Sequence, residues 1–321
     1  MGRHRAEGGP TRAGSGAISV IIPTAGRTSR ALLLARAIDS VRNQTGVSAI
    51  PIVVLNGTKH DPDLAESLSC RQDIRYVYHP EASLPAALRI GRDRVDTEFF
   101  AELDDDDELL PAGLSARLSV LQDDDSAALV VTKGYLRDGE RRWLNIADFG
   151  AIEKDPVAAL MRESWLPSCA GLFRSDLVGA GIFDDVPRYL EWTYIALRLA
   201  LTRKVRFLDQ PTFVCSIDTA GSLSKSSGYL LGQIAAINRM LEMDVPAPIR
   251  RQLRAKLAAS MHNASTYQLA HGHHLAAWRS HLLSLLEPGG YRYAAYTRHL
   301  LAPLLGIGRR SSDRDQARTS S

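Results

Sequence analysis

The chain has 321 residues, 45% hydrophobic and 23% charged, with a formal net charge of +3. That length allows one large or two modest domains with a sizeable core, and so small a charge does not by itself argue for nucleic acid, so no nucleic-acid partner is expected. Cys70, Cys169 and Cys215 lie far apart with no CxxC spacing, which argues against a disulfide framework or a zinc site and for a reducing compartment.

Residues 1–16 are basic and glycine-rich but lack the apolar core of a secretory signal, and no apolar run approaches the ~20 residues that cross a bilayer. Both ends, residues 1–16 and 308–321, are expected to be disordered, and the expected location is cytoplasmic. "AISVIIP" opens the ordered chain as a β-branched run of buried-strand character. Leu33, Ala37 and Val41 then repeat at helical spacing through "SRALLLARAIDSVRNQ". "IPIVVL" and "IRYVY" follow as strands, with a short helix between them near "PDLAESL". "LPAALRIGRDRV" is the next helix and "EFFAEL" the fourth strand. Pro111 is expected to open a further helix, where its missing N–H costs nothing, and "AALVVT" supplies a fifth strand. This alternation predicts an α/β fold with a largely parallel sheet covered by helices on both faces. "LRDGERRWL" carries the Asp-Gly signal of a hairpin. Beyond Tyr229 the pattern is helical, with two helices joined at His271–Gly272 and stopped at Pro288. A domain boundary is expected near residues 222–228, which are small and polar.

The functional question lies in "FFAELDDDDELLP", Phe99 to Pro111. Ligands of parallel sheets bind beyond the carboxyl ends of the strands, and Asp104 to Asp107 sit at such an end. Adjacent carboxylates repel unless a cation neutralises them, and Mg²⁺ or Mn²⁺ is held by carboxylates together with substrate phosphates. The alternative is a solvated acidic loop. Glycine and glutamate are missing where an EF-hand needs them, and Walker A and G-x-G-x-x-G signatures are absent.

"SVIIPTAGR", "SVRNQT", "PIVVLNGT" and "LDDDDELLP", in this order, resemble the inverting family-2 glycosyltransferases of the GT-A fold. Those enzymes show S-V-I-I-P-T-Y-N-R, S-V-x-x-Q-T, V-V-D-[DN]-G-S and L-D-x-D-D-x-x-x-P. The resemblance covers about residues 17–225 and implies a Rossmann-like GT-A domain there, followed by a helical region over residues 226–307. It implies a nucleotide-sugar donor (UDP-, GDP- or dTDP-linked), a saccharide, lipid-linked or small-molecule acceptor, and Mn²⁺ or Mg²⁺.

Residue by residue, the resemblance places Thr24 and Ala25 in the nucleobase pocket, with Arg27 at the family's arginine. Asn56 stands where the family reads the base, although the preceding family aspartate is Leu55 here. The family's A-R-N-x-G appears as "ALRIG", moving the arginine to Arg89, toward the diphosphate or into solvent. Asp104 contacts the ribose, Asp105 belongs to the same nucleotide-binding loop, and Asp106 holds the metal, with Asp107 as the alternative ligand. The catalytic base is expected in "GIFDDVPRYLEWTYIALRLAL". Counting back from Arg198 reaches Trp192, whereas anchoring on the tryptophan reaches Glu191. Only the carboxylate can take a proton, so Glu191 is the candidate, against the alternative of a first-turn glutamate favoured by the helix dipole. Asp218 lies near where the family has a histidine.

Trp165 could stack on an acceptor sugar or fill the core. His271, His273, His274 and His281 have no partner at metal spacing and are expected on the surface. "YRYAAYTRHLLAPLLGIGRR" is apolar and basic. It fits peripheral contact with an anionic inner-membrane surface or a closing helix packed on the domain. Two other readings share the nucleotide site: a sugar-phosphate nucleotidyltransferase, whose glycine-rich lysine-bearing loop is missing from "PTAGRTSR", and a non-catalytic partner that has lost the base.

Overall fold

The computed structural model describes residues 16–219 and 227–301. The expected disordered ends, and most of the small polar stretch near residue 222, lie outside the described residues. The chain divides into two compact units, residues 1–222 and 223–321. Among the described residues no helix is long and apolar enough to cross a membrane.

In the first unit β1 (Ala17–Thr24), β2 (Ser48–Asn56), β3 (Arg75–His79) and β4 (Phe99–Glu102) alternate with α1 (Ala31–Arg42), α2 (Pro62–Cys70) and α3 (Leu84–Asp93). The four strands pair in parallel in the order β3-β2-β1-β4. Every residue of β1 is buried, and since neighbouring side chains point to opposite faces, both faces of this strand are covered. Leu34, Ala37, Ile38 and Val41 form the buried stripe of α1, at the spacing of one helical face. α3 approaches closely because it presents Gly91: a Cβ there would lie 2.4 Å from Ile21 Cγ2 and 3.2 Å from Val54 Cγ2. Asp61 and Ser83 cap α2 and α3 through backbone N–H groups of the first turn.

The other half of the sheet is mixed. β5 (Glu108–Leu109), α4 (Gly113–Gln122) and β6 (Ala127–Asp138) follow β4, and β7 (Arg141–Leu144) returns along β6. Gly139, at φ 58°, takes the left-handed position of the expected hairpin turn. Two short helices, α5 (Gly150–Lys154) and α6 (Pro156–Ala159), precede β8 (Gly171–Arg174), α7 (Glu191–Thr202) and β9 (Lys204–Ser216). β8 runs antiparallel between β4 and β6, while β9 pairs parallel with β6 and antiparallel with β5. Sequence periodicity missed β8 and β9, because β8 spans only four residues and β9 is interrupted by Pro211. Pro111 does not open α4: Ala112 is the N-cap and Gly113 the first helical residue. Gly113 packs against Thr212, whose carbonyl oxygen would lie 2.6 Å from a Cβ there.

The second unit contains α8 (Ser227–Leu241), α9 (Ala247–Ala270), α10 (His274–Leu286) and α11 (Thr297–Leu301). α9 and α10 form the expected hairpin, turning at Gly272 with φ 77°. His271, His273 and His274 are exposed, but His281 is fully buried and its Nε2 lies 2.8 Å from Thr297 Oγ1. That corrects the surface expectation for His281: on α10 it lies four residues after Ala277 and three before Ser284, all three buried. Thr297 opens α11, and Leu300 within it is buried.

Candidate active site

The parallel register brings the carboxyl ends of β1, β2 and β4 to one edge. Thr24 ends β1 opposite Leu55, one residue before Asn56, and the Asn56 side chain donates to the Thr24 carbonyl at 3.1 Å. Leu103 N–H donates to Ile21 O at 3.0 Å, one step beyond β4, before the acidic loop turns through Asp107 N–H to Asp104 O at 3.1 Å. After Thr24 the chain reverses at Gly26, φ 61°, where a Cβ would lie 2.2 Å from Leu55 Cδ1. Asparagine and glycine are the residues that adopt this conformation most readily, which explains glycine in place of the asparagine of the T-Y-N-R pattern.

The loop is held from all sides. Thr24 Oγ1 donates to Asp105 Oδ2 at 2.6 Å and accepts from Gly26 N–H at 3.1 Å. Arg30 bridges two carboxylates, 2.8 Å to Asp105 and 2.5 Å to Asp106. Ser168 donates to Asp104 at 2.8 Å. Ser216 N–H donates to Asp107 at 2.8 Å, and its hydroxyl donates to Asp106 O at 2.9 Å. Arg137 reaches both Ser216 Oγ and Glu108 at 2.7 Å, and Arg36 meets Glu108 at 3.0 Å.

Residues 102–108 nonetheless carry six carboxylates, and burial shifts the ionisation of four of them. Glu102 is fully buried and pushed well above the ordinary carboxylate range, by burial first and then by Asp104 and Asp107. Among the described residues neither of its oxygens, nor Asp107 Oδ2, has a well-formed hydrogen bond, although Asp104 and Cys215 lie close enough to share one with them. Asp104 is pushed up to about 7 by burial and by Asp106. Burial raises Asp105 against the opposing pull of Arg30 and Thr24, and raises Asp107 well above its ordinary range together with Cys215 and Asp104. A buried loop so rich in negative groups has the chemistry of a cation site, since oxygen donors at a strand end suit Mg²⁺ or Mn²⁺.

Of the nucleotide-binding candidates, Thr24, Asn56, Asp104 and Asp105 come together here with Asp106, and Ala25 is half-buried beside them. Arg27 is exposed, and Arg30, which sequence reasoning did not single out, makes the contacts. Ser168 and Ser216 were also missed, because both come from remote segments with no local motif. Arg89 forms an ion pair with Asp184 at an open pocket of about 430 Å³ that Phe183 and Asp185 also line. The loop after that pocket holds Asp185, Tyr189 and Leu190 at φ of 56°, 70° and 55°. Such conformations of non-glycine residues are strained and cluster at functional sites. Glu191 opens α7 and accepts from Tyr189 N–H at 2.8 Å, steadying the strained end of that loop. Trp192 is half-buried, with its indole N–H unpartnered. Trp165 is core: it is fully buried, donates to Pro156 O at 2.8 Å and meets Phe207 edge-on. Asp218 accepts from Gly139 N–H at the β6–β7 turn.

No curated protein matches the sequence. Among solved structures, S. aureus TarS residues 1–349 in complex with UDP-GlcNAc is similar, with a TM-score of 0.53 at 12% identity over 81% of this chain and 75% of that one. S. aureus TarS itself is similar, with a TM-score of 0.51 at 13% identity over 75% of this chain and 42% of that one. At such identities the likeness is one of fold. The sequence model described as Glycosyl transferase family 2 matches residues 19–177, a span that runs from β1 through the acidic loop to β8. By that match, residues 19–177 form a domain of glycosyltransferase family 2.

Proposed function

We propose that the chain transfers a sugar from a UDP-, GDP- or dTDP-sugar to an acceptor hydroxyl with inversion, using Mn²⁺ or Mg²⁺, in polysaccharide or glycoconjugate assembly. The observation that carries this reading is the cluster at one sheet edge, where Thr24, Asn56, Asp104, Asp105 and Asp106 converge on a buried loop short of positive charge. UDP-GlcNAc bound to the similar S. aureus TarS supports a nucleotide-sugar donor.

In this reading Thr24, Ala25 and Asn56 line the base, and Asp104 and Asp105 orient the ribose and the loop. Asp106 would hold the divalent ion, which when bound would supply Lewis acidity toward the departing diphosphate. Arg27, Arg30 and Arg89 supply positive charge near the phosphates. Glu191 removes the acceptor proton as the hydroxyl attacks, and the strained loop before it sets its position. The acceptor is a saccharide, a lipid-linked sugar or a small molecule. Leu275, Leu282 and Leu286, exposed along one face of α10, support peripheral contact with the inner face of a membrane.

Thermal-shift measurements against a panel of nucleotide sugars test this reading, since a ligand that favours the folded state raises its melting temperature. One nucleotide class should shift the protein more with Mn²⁺ than without, and Asp106→Ala should lose the Mn²⁺-dependent part and turnover together. Full activity in that variant would refute the assignment. Glu191→Gln should lower kcat by about 10²–10⁴-fold while the donor Kd stays unchanged, and an unaltered rate removes Glu191 from the chemistry.

A further inference from the structure

Behind the acidic loop, the fold joins three residues that are remote in sequence. One carboxylate oxygen of Asp107 and the sulfurs of Cys169 and Cys215 all lie within 4.8 Å of one another. Cys169 is fully buried, Asp107 is 1% exposed and Cys215 is half-buried. Asp107 engages Oδ1 with Ser216 N–H, and among the described residues its buried Oδ2 has no well-formed partner, while the Cys215 thiol lies close enough to hydrogen-bond the carboxylate. Glu102, beside Asp104, is near enough to feel the charge of Asp107 and Cys215.

Burying a carboxylate beside two thiols disfavours its charged form, and a coordinated cation removes that penalty. The donor set selects the ion. Two sulfurs and one carboxylate suit a borderline-soft ion of the zinc class, whereas Mg²⁺ and Mn²⁺ favour oxygen alone. We propose that Asp107, Cys169 and Cys215 form a second cation site, selective for Zn²⁺-class ions and separate from the diphosphate ion at Asp106. A fourth position is open to Glu102 or water, and loading displaces the protons held by the two thiols and by Asp107.

The placement gives this ion a structural task. Cys169 adjoins Ser168, which holds Asp104, and Cys215 adjoins Ser216, which holds Asp106 and Asp107. An ion on the two sulfurs ties the turn before β8 and the end of β9 to the underside of the loop. Asp107 then serves the interior while Asp106 serves the donor.

Cobalt(II) tests this directly, because its bonds to sulfur produce charge-transfer absorption that oxygen ligands do not. The full-length Cys70→Ser protein, stripped with a chelator, keeps Cys169 and Cys215 as its only thiols. Titration with Co²⁺ alone should produce sulfur-to-cobalt absorption saturating at one ion per chain. The signal should disappear on adding Cys169→Ser or Cys215→Ser and persist with Asp106→Ala, which separates this site from the donor site. If either serine variant fails to fold, the Cys70→Ser protein still decides. Absence of sulfur-to-cobalt absorption there, or its loss only with Asp106→Ala, overturns the proposal.

Discussion

Two regions of this chain bury titratable side chains, and they do so to different ends. In the loop at residues 102–108, carboxylates crowd at a sheet edge, with Glu102 and Asp107 buried among like-charged neighbours. In the helical unit, His281 is fully buried, and His262 stacks on Tyr293 at 4.2 Å while meeting Tyr296 edge-on at 4.8 Å. Burial pushes the carboxyls up and both imidazoles down, in each case toward the neutral form. What separates the two regions is convergence. The carboxylates aim several oxygens at shared space and face Arg30, whereas the histidines pack against a shared ring, Tyr296, where His281 disfavours charge on His262. Perturbed ionisation marks burial; only converging donors mark a site.

The largest effect should follow removal of the loop's main counter-charge. Arg30→Met leaves Asp105 and Asp106 without their ion pairs, and breaking a largely buried pair should destabilise the metal-free protein by about 3 kcal/mol. Added Mn²⁺ should restore part of that in thermal melts. Equal melting temperatures for wild type and variant would show that Arg30 does not hold the loop together.

A smaller effect is expected at the histidines. His281→Ala removes the contact with Thr297 and leaves a void beside Tyr296, costing about 2 kcal/mol. Donor affinity should stay unchanged. A shift in donor Kd would contradict the assignment of this histidine to packing alone.

The smallest effect, and the sharpest comparison, is in pH. Asp104 titrates near 7 in the folded chain and near 3.8 when unfolded, so the folded state holds a proton that the unfolded state releases between these values. Stability of the first unit therefore falls as pH rises through that window. His262 and His281 lie below their ordinary 6.5, so the second unit gains stability as pH rises toward neutrality. Asp73 and Asp124, pulled down by hydrogen bonds and ion pairs, change their contribution only below the ordinary carboxylate range. Hydrogen-exchange protection, corrected for intrinsic rates and measured without divalent ions at about pH 5.5 and 7.5, should fall in residues 16–219 and rise in 227–301. Movement of both in one direction would break the contrast, and added Mn²⁺ should flatten the first trend alone.

The order of strands β1 to β4 with their helices, the hairpin at Gly139 and the α9–α10 turn were legible in the sequence. Each is specified by local periodicity, a cap or a left-handed glycine, and all of these act over a few residues. Asp104 to Asp107 were legible as a candidate site for the same reason: their crowding and their place after a strand are both local. The sequence did not disclose which other groups meet them. Arg30 follows the exposed Arg27 by three residues, and only the reversal at Gly26 and the short turn at Thr28–Arg30 turn it toward Asp105 and Asp106. Ser168, Ser216, Cys169 and Cys215 reach the loop because β8 and β9 insert into the sheet out of sequence order. Their spacing of dozens of residues carries no period that could be read in advance. The inward turn of His281 likewise depends on a packing partner, Thr297, in a separate helix. Local pattern determined most of the elements and the acidic loop; contacts between distant segments, which no short-range preference encodes, decided which of the loop's charges are balanced.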